Sequence, residues 1–306
     1  MRYNFNPTDE QIKKAGELII YSGVYEDVPE ISDLVIPDGV EEIAENAFRD
    51  FKELRTLTLP VSLKKISACA FSGCDGLRSV TFAPGISEIG DEAFAFCSSL
   101  LSVSMPDTVK RIGEGAFEGC ASLSSLRISE ACEMIGSGAF AFCFNLRDVT
   151  VPDSVTLIEF NAFASCFSLE GVRLSQSMGM IDESLFEGCR SLKIVDMPPR
   201  LYKIGRRAFK GCSSLESLIL PITLREIGFD AFASCQSLKR LAIPKGLKDI
   251  EDGEAFSGCD SLSEITYGGN REEWERLNKG RTLTVRRSDL SYTTPKIILL
   301  DLKNEI

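Results

Sequence analysis

Apolar residues recur along this chain with a fixed period. An Ile stands at 43, 66, 89, 112, 135, 158, 181, 204, 227 and 250, a step of 23 residues throughout. A Phe stands at 48, 71, 94, 117, 140, 163, 186, 209, 232 and 256, and a Leu at 54, 77, 100, 123, 146, 169, 192, 215, 238 and 262. One period, Pro60 to Phe82, reads PVSLKKISACAFSGCDGLRSVTF. Its pattern is P-x-x-Φ-x-x-I-x-x-x-A-F-x-x-C-x-x-L-x-x-Φ-x-Φ, with Φ apolar. The closing LRSVTF (LRDVTV later in the chain) alternates with period two and is rich in β-branched residues, which predicts a short strand. The Φ-x-x-I phrase predicts a second extended segment. In A-F-x-x-C-x-x-L the apolar residues fall at i, i+1, i+4 and i+7, which predicts one or two helical turns.

A unit of this length cannot bury its own apolar face, so successive units must stack, with equivalent residues in rows. The predicted fold class is an α/β repeat solenoid of about ten 23-residue coils, with short parallel strands, helical turns and terminal caps; parallel strands spaced ~4.8 Å make it about 48 Å long. The Phe and Leu rows step by 24 at the last unit while the Ile row does not, so EDGEAF carries one inserted residue just after Ile250. The expected division is an N-terminal cap over 1–30, the solenoid over 31–268 and a C-terminal capping segment over 269–306. In ISDLVIP, Ile31, Leu34 and Ile36 predict a first strand covered by GELIIYSGVY. NREEWERLNKG predicts a short helix laying Trp274 over the last coil, and TPKIILLDL an edge strand.

The phrase L-x-x-L-x-L-P-x-x-V-x-x-I-x-x-x-A-F-x-x-C resembles the BspA-type leucine-rich repeat over about residues 31 to 268, and YGGNREEWERL (267–277) resembles the Y-x-G-x-x-x-x-W segment that closes such proteins. The resemblance implies a leucine-rich-repeat right-handed superhelix and a bacterial or protist protein, often at the cell surface and engaged in adhesion. The start, MRYNFNPTDEQIKK, lacks the apolar core of a secretory signal. The expected location is therefore the cell surface or outside the cell by family resemblance, and the cytoplasm if Met1 is the native start.

Nine of the eleven cysteines obey the same period, at Cys74, Cys97, Cys120, Cys143, Cys166, Cys189, Cys212, Cys235 and Cys259. In the first unit Phe51 fills this slot, so it is an apolar interior slot, where a free Cys acts as a small hydrophobe whose thiol can donate to a turn carbonyl. One Cys per coil forms a line, whereas zinc needs four ligands converging on a point. Neighbouring coils bring Cα atoms within disulfide range, but parallel Cβ atoms ~4.8 Å apart exceed the ~3.8 Å a bridge prefers, so a reduced ladder is predicted. Cys132 takes a core slot held elsewhere by Val109 and Val155. Cys69, aligned with Asn46, Glu92 and Gly115, is the thiol expected to be exposed and reactive.

The chain of 306 residues has no His and carries 45 acidic against 34 basic side chains, a net charge of −11. Without His, the commonest general base, the Ser-His and Cys-His pairs and His-ligated metals are excluded. Excess acid gives no reason to hold phosphate backbones, and no window of eighteen apolar residues is present to span a membrane. No catalytic residue, cofactor or metal site is predicted, nor nucleic-acid binding or membrane insertion; a protein ligand and a monomeric state are.

Binding specificity must then lie in variable positions. Outward strand slots form a hydroxyl-rich row, Thr56 and Thr58, Ser79 and Thr81, Ser102 and Ser104, followed by Arg127, Asp148, Arg173 and Ile194. Aromatic residues replace small or polar ones at three other slots: Phe96 and Phe142 at one, Phe144 and Phe167 at a second, Phe160 and Phe229 at a third. Phe142, Phe144 and Phe167, on adjacent coils five and six, are the candidate docking patch, with Phe96, Arg127, Asp148 and Arg173 as further partner-binding candidates. The predicted function is a non-enzymatic protein-binding scaffold, which the family resemblance implies to be a bacterial cell-surface or secreted adhesion or interaction protein; an intracellular interaction scaffold and a carbohydrate-binding protein using the hydroxyl-rich row stand as alternatives.

Overall fold

The structure, a computed structural model, describes residues 2–4, 18–20, 32–251, 255–277, 285–289 and 291–300. Each coil, counted by its Phe from Phe48 to Phe256, contributes a first strand of two residues (four in coil one, Val40–Ile43), a tight turn and a second strand of three or four, as in Lys65–Ile66 and Ser79–Thr81 of coil two. Equivalent strands pair in parallel with the register the repeat demands: Thr56 faces Ser79, and Ile66 faces Ile89. The longer strands assemble into sheets of six, three and four strands, the shorter into sheets of seven and four. In the longer strands the central residue points inward and its neighbours outward, as in Thr56–Thr58, where Leu57 is buried between two exposed threonines.

The solenoid of about ten coils is as predicted, but the expected helical turns are absent from the A-F-x-x-C segments. These are hydrogen-bonded turns, and the reason lies in where their N–H groups go. In coil two, Cys69, Phe71 and Gly73 donate to the carbonyls of Asp91, Ala93 and Ala95 in coil three at 2.9, 2.8 and 2.8 Å. Donors committed along the stacking axis cannot bond back four residues, which an α-helix requires. Residues between them close three-residue turns, such as Ser72 to Cys69 and Cys74 to Phe71. The turns approach so closely that a Cβ on Gly90 would lie 2.7 Å from the Ile66 carbonyl oxygen.

Phe rings of the ten coils form one column of stacked neighbours, with centroids 5.1 to 5.9 Å apart. Beside it runs the cysteine ladder. Each of the nine thiols donates to the Phe carbonyl of the preceding coil at 3.0 to 3.4 Å. That carbonyl also accepts the N–H of its own coil's Cys, as Phe71 does from Cys74. All eleven cysteines are free, the nine ladder thiols and Cys132 are buried, and Phe51 in the equivalent slot packs edge-on against Phe48 at 5.6 Å.

At the N-terminal end Leu34 and Ile36 are buried as predicted, while Ile31 and most of GELIIYSGVY lie outside the described residues. Within that segment Leu18–Ile20 pairs with Val40–Ile43, and ahead of it in the chain Arg2–Asn4 pairs with Asp33–Val35. At the other end, helix α1 (Arg271–Leu277) opens with a reciprocal cap, Glu273 N–H to Asn270 Oδ1 and Asn270 N–H to Glu273 Oε2, both 3.0 Å. It lays the buried Trp274 5.3 Å from Tyr267. Lys296–Leu299 adds the edge strand, parallel to Glu264–Tyr267. Part of the insertion after Ile250, residues 252–254, lies outside the described residues.

Burial pushes the thiol of Cys120 up to about 12 and that of Cys132 to about 11. Cys97 and Cys143 rise too, from burial first and then from neighbouring thiols. An unfolded thiol ionises near 8.5, so above that pH the unfolded chain loses protons the native state keeps. This stability is full below the unfolded value and is lost as pH climbs toward the folded ones, by up to ~1.4 kcal/mol per pH unit per thiol. Urea midpoints should fall steeply between pH 8.5 and 10.5, and Cys120→Ala should make the fall shallower; equal slopes in variant and parent would refute this assignment.

Candidate interaction surface

Each turn places two residues in the left-handed backbone region. One row runs through Asn46, Cys69, Glu92, Gly115, Gly138 and Asn161, the other through Asp50, Gly73, Phe96, Gly119, Phe142, Ser165 and Gly188, all with positive φ. Gly, Asn, Asp and Ser suit such positions; a bulky side chain costs roughly 1–2 kcal/mol there. Cys69, Glu92 and Arg207 depart from this preference at φ 54°, 53° and 55°, and the bulkier Phe96 and Phe142 do so at φ 58° and 60°. Neither Phe is repaid by full burial, since they remain 51% and 41% exposed.

Phe142, Phe144 and Phe167 form one cluster. The Phe142 and Phe144 rings meet edge to face at 6.3 Å, and Phe144 stacks on Phe167 at 4.9 Å. Arg190, missed in the sequence, extends it with its guanidinium 4.5 Å above the Phe167 ring. It occupies in coil seven the slot that Phe144 and Phe167 hold in coils five and six, so the row itself carries the signal. Phe96 stands two coils away over Gly119, where a Cβ would meet its ring at 2.7 Å. Phe160 is exposed, and Phe229 lies half-buried beneath Arg206, 5.7 Å from its ring centroid.

Arg127, Asp148 and Arg173 lie on the long-strand face, apart from this cluster. Arg127 donates to the Met105 carbonyl at 2.6 Å and to Asp107 at 2.7 Å, and Arg173 to both oxygens of Asp153 at 3.1 Å. The backbone N–H of Glu130 and then Arg127 hold Asp107 below the usual carboxylate range. Arg173 and then the Gln176 N–H do the same for Asp153. Both arginines thus brace successive coils, while Asp148 is exposed.

Cys69 differs from its expectation. It is half-buried, its Sγ lies 3.6 Å from Glu92 Oε2, and burial followed by the Glu92 charge raises its thiol above the ordinary value. A thiol so placed is protonated at neutral pH and not activated. Among the described residues no group of three His, Cys, Asp or Glu side chains could hold a metal ion, and no helix is long and apolar enough to cross a membrane.

The sequence model of the BspA type leucine rich repeat region matches six copies, over residues 18–147, 111–239 and 180–275. The chain belongs to this family. Among solved structures, this BspA-type protein is similar to a leucine-rich repeat protein from Bacteroides ovatus, with 27% identity and TM-score 0.48 over 88% of this chain and 84% of that one. It is also similar to a leucine rich cell surface protein from Faecalibacterium prausnitzii, with 24% identity and TM-score 0.44 over 81% and 91%. A third is the T. pallidum leucine rich repeat protein, with 31% identity and TM-score 0.46 over 60% and 78%. No curated protein matches the chain.

Two phenylalanines separated by one residue should respond in opposite ways to truncation. Phe140→Ala removes a fully buried ring from the column and should cost ~3–5 kcal/mol in urea unfolding. Phe142→Gly relieves the left-handed strain and should leave the midpoint unchanged or raise it. Equal destabilisation by both would show that Phe142 is a packing residue.

Proposed function

We propose that this BspA-type chain is a non-enzymatic protein-binding scaffold, acting as a monomer in adhesion at a bacterial cell surface or outside the cell. The observation that carries the reading is the exposed, strained Phe142 joined to Phe144 and Phe167 on a turn face whose backbone is bonded to the next coil on every side. Phe142 and Phe144 are exposed and Phe167 is half-buried; exposed aromatics side by side mark interaction sites, and a rigid platform lowers the entropy a partner must overcome. Surface adhesion is the role the family resemblance implies. An intracellular scaffold is the second reading, favoured by eleven free thiols, since oxidising compartments favour disulfides.

The test is binding of the purified full chain to immobilised extracellular-matrix proteins and to whole cells, against a Phe142→Ser, Phe144→Ser, Phe167→Ser variant. Saturable binding that weakens at least about tenfold in the variant, with unchanged thermal unfolding, is the expected result. Equal binding by both proteins would reject the aromatic cluster as the docking surface, and binding to none of these targets would reject the adhesion reading.

A further inference from the structure

The turn segments of coils three to seven read GDEAFAFC, GEGAFEGC, GSGAFAFC, EFNAFASC and DESLFEGC. They hold eight carboxylates, at Asp91, Glu92, Glu114, Glu118, Glu159, Asp182, Glu183 and Glu187, and no Lys or Arg. Coil eight, GRRAFKGC, has three cations in the same frame. Elsewhere on the surface, acids find cations on the adjoining coil, as Glu170 does with Lys193 at 2.8 Å and Glu216 with Lys239 at 3.0 Å. Here Asp91 pairs with Arg111 at 3.1 Å, and among the described residues none of the other seven forms an ion pair.

This face opens into a groove of about 390 Å³, within the range of side-chain-sized and small-ligand sites. It exists because Gly115, Gly138, Ala141 and Ala164 stand where other coils carry larger residues such as Cys69, Ser72 or Lys210. Phe142 and Phe160, both exposed, line it, with Glu92, Glu114 and Glu118 toward one end and Glu187 toward the other. Among the described residues none of these four acids forms an ion pair. Glu92 accepts from the Cys69 thiol and Glu187 from the Ser184 hydroxyl. Burial and then repulsion from Glu92 and Glu114 raise the Glu118 carboxyl above its ordinary range, so its charge is uncompensated.

We propose that the groove receives an Arg or Lys side chain from a basic segment of the partner polypeptide, the cation lying against Phe142 and Phe160 and facing Glu92, Glu114, Glu118 and Glu187. Aromatic faces attract cations, and carboxylates of one sign at both ends focus that attraction. The same surface already shows the chemistry internally, in the Arg190 guanidinium on Phe167. A basic segment is preferred over an apolar one because the carboxylate rim attracts a cation and offers an apolar side chain no such gain, and over a free metal ion because the acids line a trough with an aromatic floor and do not converge on one point. This inference rests on the scaffold reading and names the chemistry of the partner.

The experiment is a fluorescence-anisotropy titration of the full chain with labelled Gly-Arg-Gly-Arg-Gly, using Gly-Gln-Gly-Gln-Gly as control. The arginine peptide should bind and the glutamine peptide should not, and raising the salt from ~50 to ~300 mM should weaken binding. Glu114→Gln with Glu118→Gln should weaken it about fivefold or more, as should Phe160→Ser, whereas Glu170→Gln with Glu216→Gln, the same charge change outside the groove, should stay within about twofold. Equal losses in the two double variants, or equal binding of the two peptides, would overturn the site, as would no binding of the arginine peptide. Arginine-peptide binding that survives Phe144→Ser with Phe167→Ser supports the groove even where adhesion targets are lost, so the two readings fail separately.

Discussion

Registration of one coil on the next is the constraint from which the rest of this molecule follows. A 23-residue period returns each backbone group to the same azimuth one strand spacing further along, so the N–H groups of the turns find their acceptors in the following coil, as Phe117 does in Ala139 at 2.8 Å. The stacked Phe column and the thiol ladder fill the space beneath these bonds, and both depend on identical side chains recurring without slippage. The thiol suits its slot because it is small and apolar yet supplies a second donor to a carbonyl that already serves one N–H. A hydroxyl would be smaller and a methyl would donate nothing.

The same constraint explains why the proposed function falls on the turn face. Backbone in the turns is fixed by bonds along the axis, so its surface slots can change with little effect on the fold. Left-handed positions accept Gly, Asn, Asp or Ser at low cost, and the chain places Phe there only twice among the described residues, at Phe96 and Phe142. Removing bulk at Gly138, Ala141 and Ala164 opens the acid-rimmed groove beside the aromatic cluster. A rigid face with an apolar ridge and an anionic trough offers a partner both desolvation and charge complementarity.

Much of this was legible in the sequence because a repeat is a translation of one-dimensional spacing into spatial rows. The periods of Ile43, Phe48 and Leu54 and the alternation in LRSVTF gave the coils, their strands and the inward residues, and the alignment of Phe142, Phe144 and Phe167 in neighbouring coils gave their contact. Helical spacing in A-F-x-x-C-x-x-L misled because side-chain periodicity does not say where N–H groups bond; the donors of Phe71 and Gly73 go to another coil. Arg127 and Arg173 read as partner-binding candidates, and the ion-pair partners the structure gives them, Asp107 and Asp153, stand twenty residues back and become neighbours only once coils stack. Left-handed strain at Phe142 is a backbone property, visible in sequence only as a Phe in a column of Gly, Asp and Ser.

Hydrogen exchange of the native protein tests the central claim, that bonds between coils hold the turns rigid. Amides of Gly115, Phe117 and Gly119, which donate to coil five at 2.8, 2.8 and 2.9 Å, should exchange as slowly as those of the strand Ser102–Ser104. Turn amides that exchange freely while the strand remains protected would contradict it, and with it the rigid face on which the interaction surface is built.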